Sequence, residues 1–262
     1  MIHIISLGAG VQSTTMALMA AHGEITPMPY CGIFADTQWE PQAVYSHLDW
    51  LCSVLPFPVY RVTAGNIRTA IQDRSKSAAG RIAAVPWHMQ MPNGDAAMGR
   101  RQCTKEYKLV PIRRKVRELL GGKTPKAGAT IWIGISTDEA VRMKPSLIGY
   151  MIHRWPLIEK RMNRNDCLRW MDRNHYPTPA KSSCIGCPYH SDAQWRDLRD
   201  QSPDEWQDAI EIDAAIRHQP GFRGQQFMHR SLKPLADVDL STAEDHGQLN
   251  LFNNECEGVC GV

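Results

Sequence analysis

The chain opens with Ile2-His-Ile-Ile-Ser-Leu7, then Gly8-Ala-Gly10, then Val11-Gln-Ser-Thr-Thr15 and Met16-Ala-Leu-Met-Ala-Ala21. An apolar run of strand length breaks at two closely spaced glycines and resumes as an apolar run of helix length. That pattern describes a buried strand turning sharply into a helix. Such a turn is a phosphate-binding device. Gly8 and Gly10 let the backbone approach an anion, Ser13 and Thr14 add hydroxyl donors, and the N–H groups of the first helical turn carry partial positive charge. An ordinary strand–helix turn with glycines for tightness is the competing reading, and the rest of the chain decides between them.

Working outward, the sequence alternates strand and helix. Strands are expected over 2–7, 30–35, 59–62 and 130–135, and helices over 12–21, 41–55 and 107–120. The alternation predicts an α/β fold: a parallel twisted sheet with helices on both faces. Ligands of such sheets bind beyond the carboxyl ends of the strands, where the polar turns at 7–14, 36–40 and 136–142 are expected to converge. Residues 75–99 dissolve into Ser, Ala, Gly, Met and Pro and read as a long loop, a candidate lid. From Met151 the chain turns helical and basic, with helices expected over 163–174, 192–199 and 203–218 and an irregular stretch over 221–262. The expected organisation is a nucleotide-binding α/β domain over 1–150 and a helical, cysteine-bearing region over 151–262.

The 262 residues suffice for one large core with an appendage, and 43% hydrophobic and 22% charged residues exclude general disorder. There is no basic leader ahead of the first strand, and no apolar run approaches the ~20 residues that span a bilayer. A cytoplasmic protein without a membrane partner is therefore expected. The net charge of +3 decides nothing by itself. Two local concentrations say more: Arg100, Arg101, Lys105, Lys108, Arg113, Arg114, Lys115 and Arg117, and then Arg154, Lys160, Arg161, Arg164, Arg169 and Arg173. They suit the phosphates of a nucleotide or a nucleic-acid backbone, and equally a solvated helix face.

These landmarks resemble the PP-loop nucleotide alpha-hydrolases, specifically their phosphoadenosine-phosphosulfate (PAPS) reductase-like branch. The family's Ser-Gly-Gly-x-Asp-Ser loop is matched by Gly8-Ala-Gly-Val-Gln-Ser13, with Gln12 where the Asp stands. Phe34-Ala-Asp-Thr-Gln-Trp-Glu40 is similar to its Asp-Thr turn, and Gly134-Ile-Ser-Thr-Asp-Glu-Ala-Val-Arg142 to its Gly-x-x-x-Asp-Glu-x-x-Arg segment. Arg154-Trp-Pro-Leu-Ile158, with Asn165-Asp166, looks like the Pro-Leu segment before the helical part. The resemblance spans about residues 2–210. It implies a site for ATP, or for an adenylyl sulfate (PAPS or APS), with Ser6, Gly8, Gly10, Gln12, Ser13 and Thr14 at the phosphates. Asp36 would bind Mg²⁺ or a ribose hydroxyl, or else cap a helix. Gly134 and Arg142 complete the set, with Arg142 on phosphate or paired to Glu139. Gln12 removes one negative charge beside the phosphates and puts in question whatever the Asp does elsewhere.

Eight cysteines in a cytosolic chain are not a disulfide framework. Cys31, Cys52 and Cys167 lie in apolar or helical surroundings and read as structural. Arg101-Gln-Cys103-Thr-Lys resembles the paired-cysteine segment of iron–sulfur adenylylsulfate reductases, with Thr104 in place of the second cysteine, and Cys184-Ile-Gly-Cys187 supplies a downstream Cys-x-x-Cys. The resemblance implies a [4Fe-4S] cluster on Cys103, Cys184 and Cys187, like the three-cysteine clusters of tRNA thiolases. Zinc and a redox pair are the alternatives. The end of the chain, Asn254-Glu-Cys256-Glu-Gly-Val-Cys260, is similar to the catalytic tail of sulfonucleotide reductases without its His, so Cys256 and Cys260 are the candidate catalytic thiols. Glu255 and Glu257 would slow such a thiol by raising its pKa, and a frayed terminus is the competing reading.

The resemblance thus implies an ATP-pyrophosphatase-type enzyme that adenylates a substrate and transfers sulfur, with a nucleic acid (tRNA or DNA) as acceptor. A sulfur-donor protein or thioredoxin-like reductant and a homodimer belong to the same expectation. The alternatives are a PAPS reductase releasing sulfite and a non-catalytic nucleic-acid-binding module.

Overall fold

The computed structural model describes residues 1–74, 85–122 and 127–241, with Asp245 and Gly247. In chain order the elements are β1 (Ile2–Leu7), α1 (Val11–Ala21), β2 (Cys31–Asp36), α2 (Gln42–Val54), β3 (Val59–Thr63), α3 (Ile67–Gln72), β4 (His88–Gln90), β5 (Ala96–Met98), α4 (Val110–Leu119), β6 (Ala129–Ile133), β7 (Met151–Arg154), α5 (Pro156–Glu159), α6 (Arg164–Arg173), α7 (Asp192–Gln201), α8 (Pro203–Ile216) and β8 (Gln225–Phe227). A π-helical turn, Thr104–Leu109, leads into α4, and a 3₁₀ turn, Thr137–Arg142, follows β6.

Two compact units share the chain discontinuously: Met1–Gly65 with Thr104–Ser183, and Asn66–Cys103 with the described residues from Cys184 onward. This differs from the expected division at residue 150. The physical reason is β7, which pairs in parallel with β6 and ties the segment after residue 150 to the first unit.

In the first unit the five strands run in the order β3-β2-β1-β6-β7, all parallel. Strand alternation divides the side chains between two cores. Ile5, Leu7, Phe34 and Trp132 face one way, packing with Met16 and Leu18 of α1, Leu48 and Leu51 of α2, and Cys167, Trp170 and Met171 of α6. Ile4, Ile33, Ile131 and Ile133 face the other way, against Ile112 and Val116 of α4. Burial on both faces is why these strands read as continuous apolar runs, as parallel strands do. The expected fold class, a parallel sheet with helices on both faces, is what this unit forms. Helix α6 starts at a capping box: the Asn163 side chain accepts from the Asp166 N–H and the Asp166 side chain accepts from the Asn163 N–H.

The second unit holds a three-stranded antiparallel sheet, β5-β4-β8, with α3, α7 and α8. Gly224 lies so close to β4 that a Cβ there would stand 2.4 Å from the Gln90 carbonyl oxygen, so only glycine fits. Asp213 on α8, almost fully buried, is the hub. Its carboxylate accepts from the Met228 N–H at 2.8 Å and the Leu235 N–H at 3.0 Å and is ion-paired with Arg217.

Several expectations are corrected here. Residues 75–99 do not form one loop: 75–84 lie outside the described residues, and 88–98 form the β4–β5 hairpin. Strand β7, four residues with only Met151 buried, escaped the periodicity, and so did β8 in the stretch expected to be irregular. No described helix is long and apolar enough to cross a membrane.

Candidate functional site

Strand β1 sits between β2 and β6. The chain builds outward to β2 and β3, then returns to β6 on the opposite side. The crevice beyond the carboxyl ends of β1 and β6 is therefore the topological switch point, where open α/β sheets bind ligands. The loop at residues 8–10 lies there. Gly10 caps α1 in extended conformation and contributes no side chain, so the first-turn N–H groups lack a side-chain cap from that position. The left-handed backbone falls on Ala9, at φ 57°, rather than on either glycine. A non-glycine residue in that region stores strain of the kind found at ligand loops. The loop is braced from within: the Gly8 N–H donates to Ser13 Oγ at 3.2 Å, and the Ser13 hydroxyl donates to the Gly10 carbonyl at 3.2 Å. Ser182 closes it from outside, its hydroxyl donating to the Gly8 carbonyl.

Gly134, at the end of β6, explains how α1 comes so near the sheet. A Cβ on it would lie 2.9 Å from Ser13 N and 3.0 Å from Ser13 Cα, both rigid backbone. Beside it Ser136 is fully buried and Gln12 is 7% exposed. The Gln12 amide donates to Ser136 Oγ and Glu139 Oε2, each at 3.4 Å, while its Oε1 accepts from Arg164 Nη1 at 3.3 Å. Glu139 is also ion-paired with Arg142. A neutral side chain at position 12 thus bridges an acid and a base. An aspartate there would face Glu139 as a like charge and Arg164 as an opposite one.

Asp36 ends β2. Its Oδ1 accepts from the Gln38 N–H at 2.7 Å and the Tyr45 hydroxyl at 2.8 Å, so it organises the turn and does not cap α2, whose N-cap is Pro41. Burial, and secondarily the bond to Asp36, pushes the Tyr45 phenol upward and keeps it a donor. Within that turn Glu40 accepts from Thr37 at 3.1 Å and pairs with Lys108 at 3.3 Å. Thr14 is placed differently from Ser13: its hydroxyl is fully buried and bonded to His47 Nε2 at 3.1 Å. Gly8, Gly10, Gln12, Ser13 and Gly134 lie together around the start of α1, and Ser6 precedes them in β1. Ser182 and the reach of Arg164 were not visible in the sequence, although the polar run Lys181-Ser-Ser183 was a signal for the former.

The basic stretches are partly engaged in pairs: Arg154 with Glu159, Arg169 with Asp166, Lys115 with Glu118.

Cys103, Cys184 and Cys187 all belong to the second unit and are half-buried. The Cys187 N–H donates to the Cys184 carbonyl at 3.0 Å, closing the Cys-x-x-Cys turn, and the His190 N–H donates to the Cys187 carbonyl at 3.2 Å. His88 Nε2–H donates to the Pro188 carbonyl at 3.3 Å, and the Arg101 guanidinium lies 5.2 Å from the Tyr189 ring centre. Burial above all holds the His88 imidazole below its ordinary pKa. Among the described residues no group of three or more His, Cys, Asp or Glu side chains is assembled to hold a metal ion. Cys256 and Cys260 lie outside the described residues.

No protein-family model and no curated protein matches the chain. Among solved structures it is similar to a phosphate complex of phosphoadenylyl-sulfate (PAPS) reductase from Candida auris, at 13% identity and a TM-score of 0.40, over 68% of this chain and 74% of that one. The likeness is partial, and the fold assignment rests on the strand order and burial described above.

Proposed function

We propose that the first unit binds the phosphates of an adenine nucleotide at the β1/β6 switch point and that the protein is an enzyme acting on that nucleotide. One observation carries this reading: the strained, uncapped loop at residues 8–10 opens α1 at the ligand crevice of the sheet, against Gly134. The preferred reaction is adenylation of an oxygen of a nucleic-acid acceptor by ATP with release of pyrophosphate, after which sulfur from a separate donor protein displaces that oxygen as AMP. Such chemistry needs positioning and charge neutralisation more than a protein nucleophile. The first-turn N–H groups of α1 would hold phosphate oxygens, and the Ser13 and Ser182 hydroxyls would join them on turning away from the Gly10 and Gly8 carbonyls to which they donate. Arg164 and Arg142, each held at the crevice by Gln12 or Glu139, would neutralise charge developing on the pyrophosphate. Asp36 keeps Oδ2 for Mg²⁺ or a ribose hydroxyl, since both of its bonds use Oδ1; the metal, when bound, supplies charge neutralisation at the phosphates.

The test is ATP turnover with and without tRNA or DNA. AMP and pyrophosphate formed only with an acceptor supports the reading, and ADP with phosphate overturns it. Thiol-dependent sulfite release from an adenylyl sulfate would replace it with the reductase. Nucleic-acid binding without nucleotide affinity would replace it with a non-catalytic module.

A further inference from the structure

We propose that Cys184 and Cys187 form a reversible dithiol/disulfide couple that reduces a low-molecular-weight disulfide. The cysteines are three apart on one turn, closed by the 3.0 Å hydrogen bond from the Cys187 N–H to the Cys184 carbonyl. A turn of that kind holds its end Cα atoms within about 7 Å. A disulfide accepts Cα separations of about 4.4–6.8 Å, so the bridge forms with little backbone movement. Both residues are half-buried, so a small disulfide reaches them. The turn is anchored on either side: Ile185 is buried within it, and beyond it the Pro188 carbonyl accepts from His88 and Tyr189 stacks under Arg101.

A metal needs three or four assembled donors, and the described residues assemble none. A disulfide needs two. The pair ends on a second turn and α7 begins only at Asp192, so no helix N-terminus activates a thiol here. Exchange is accordingly slower than in proteins whose Cys-x-x-Cys opens a helix.

The chemistry balances without a further reactant. The thiolate of one cysteine attacks a sulfur of the substrate disulfide, forming a mixed disulfide and releasing one thiolate. The second cysteine's thiolate attacks the first cysteine's sulfur and releases the other. Two protein thiols are oxidised, one substrate disulfide is reduced to two thiols, and the protons of the cysteines pass through solvent to the released thiolates.

Two of the first unit's three described thiols, Cys31 and Cys167, are internal references, whereas Cys52 is only half-buried. Burial pushes Cys31 up to about 11 and Cys167 up to about 12, and both are fully buried, so neither reacts. This inference is independent of the nucleotide reading, because it is read at the second unit's cysteines without nucleotide.

The experiment treats the full chain with oxidised glutathione and maps alkylation of each cysteine by peptide mass. The expected result is a Cys184–Cys187 bridge, with alkylation of both falling together by about tenfold or more and restored by dithiothreitol. Cys184→Ser and Cys187→Ser each convert the product to a mixed glutathione disulfide on the remaining cysteine, and Cys103→Ser leaves the bridge intact. Three results overturn it: separate glutathionylation of both cysteines in the unmodified chain, a bridge to Cys103, or stoichiometric iron or zinc in the purified protein that is lost on Cys184→Ser. The map of the unmodified chain decides even if a variant fails to fold.

Discussion

Arg164 Nη1 donates to Gln12 Oε1 at 3.3 Å, joining the start of α6 to the start of α1 across 152 positions of sequence. This contact fixes a guanidinium beside the loop that would carry phosphate. Arg164→Ala should weaken ATP binding by about 10–100-fold, the worth of a hydrogen bond to a charged group. Isothermal titration calorimetry checks it, and an unchanged affinity would place the phosphates elsewhere.

Gln12→Asp should also cost affinity. It sets a carboxylate against Glu139, whose Oε2 now accepts from the Gln12 amide. About a tenfold loss is expected at low salt, diminishing as salt screens the repulsion.

Gly134→Ala forces a methyl to within 2.9 Å of the Ser13 backbone nitrogen. Overpacking of this kind costs about 1–3 kcal/mol. The strain falls on the first turn of α1, so nucleotide affinity should fall together with the thermal midpoint. A midpoint loss with intact affinity would mean that the loop does not hold the nucleotide.

Asp213→Ala breaks a buried ion pair and leaves the Met228 and Leu235 N–H groups without their acceptor. Removing one partner of a buried pair costs about 3–5 kcal/mol. Urea denaturation should show the loss, with the first unit's nucleotide affinity retained at low urea.

Three histidines set a pH dependence. Burial holds His47 and His88 below the ordinary value of 6.5, and burial together with the Arg154 and N-terminal charges does so for His3. A lowered folded-state pKa means that the unfolded chain takes up the proton first. Stability is therefore full above about pH 6.5 and falls as pH drops below it, until the folded-state values are passed. His47→Gln, which retains a partner for Thr14, should flatten part of that slope in denaturation measured from about pH 7 to about pH 5. A slope unaltered by the substitution would sink the assignment to His47.

The local sequence carried much of this. The 2–7 strand, the break at glycine and the helix at 11–21 follow from an apolar pattern that each element satisfies by itself, and so do β2, α2, α4, α6, α7 and α8. Their two-sided burial placed the fold class, and the Gly-x-Gly placed the loop. Short elements were not legible: β4, β5 and β8 have three residues each, too few to show a period, and they exist only because antiparallel partners complete their hydrogen bonds. The division into units was equally hidden, because β7 joins the first unit by pairing with β6 and not by sequence proximity.

The site divides along the same line. Gly8, Gly10 and Ser13 are neighbours in sequence, so the turn they build together was readable from the chain. Thr14, one residue further, is rotated by the helix into the core against His47, a distinction that only packing makes. Ser182 at the Gly8 carbonyl, Arg164 at Gln12 and Gly134 beneath Ser13 are contacts between distant segments. A sequence by itself determines what lies within a few residues, through period and turn chemistry. Which distant side chains meet is decided by the strand order and the close packing of helix on sheet, where a single methyl group is too much.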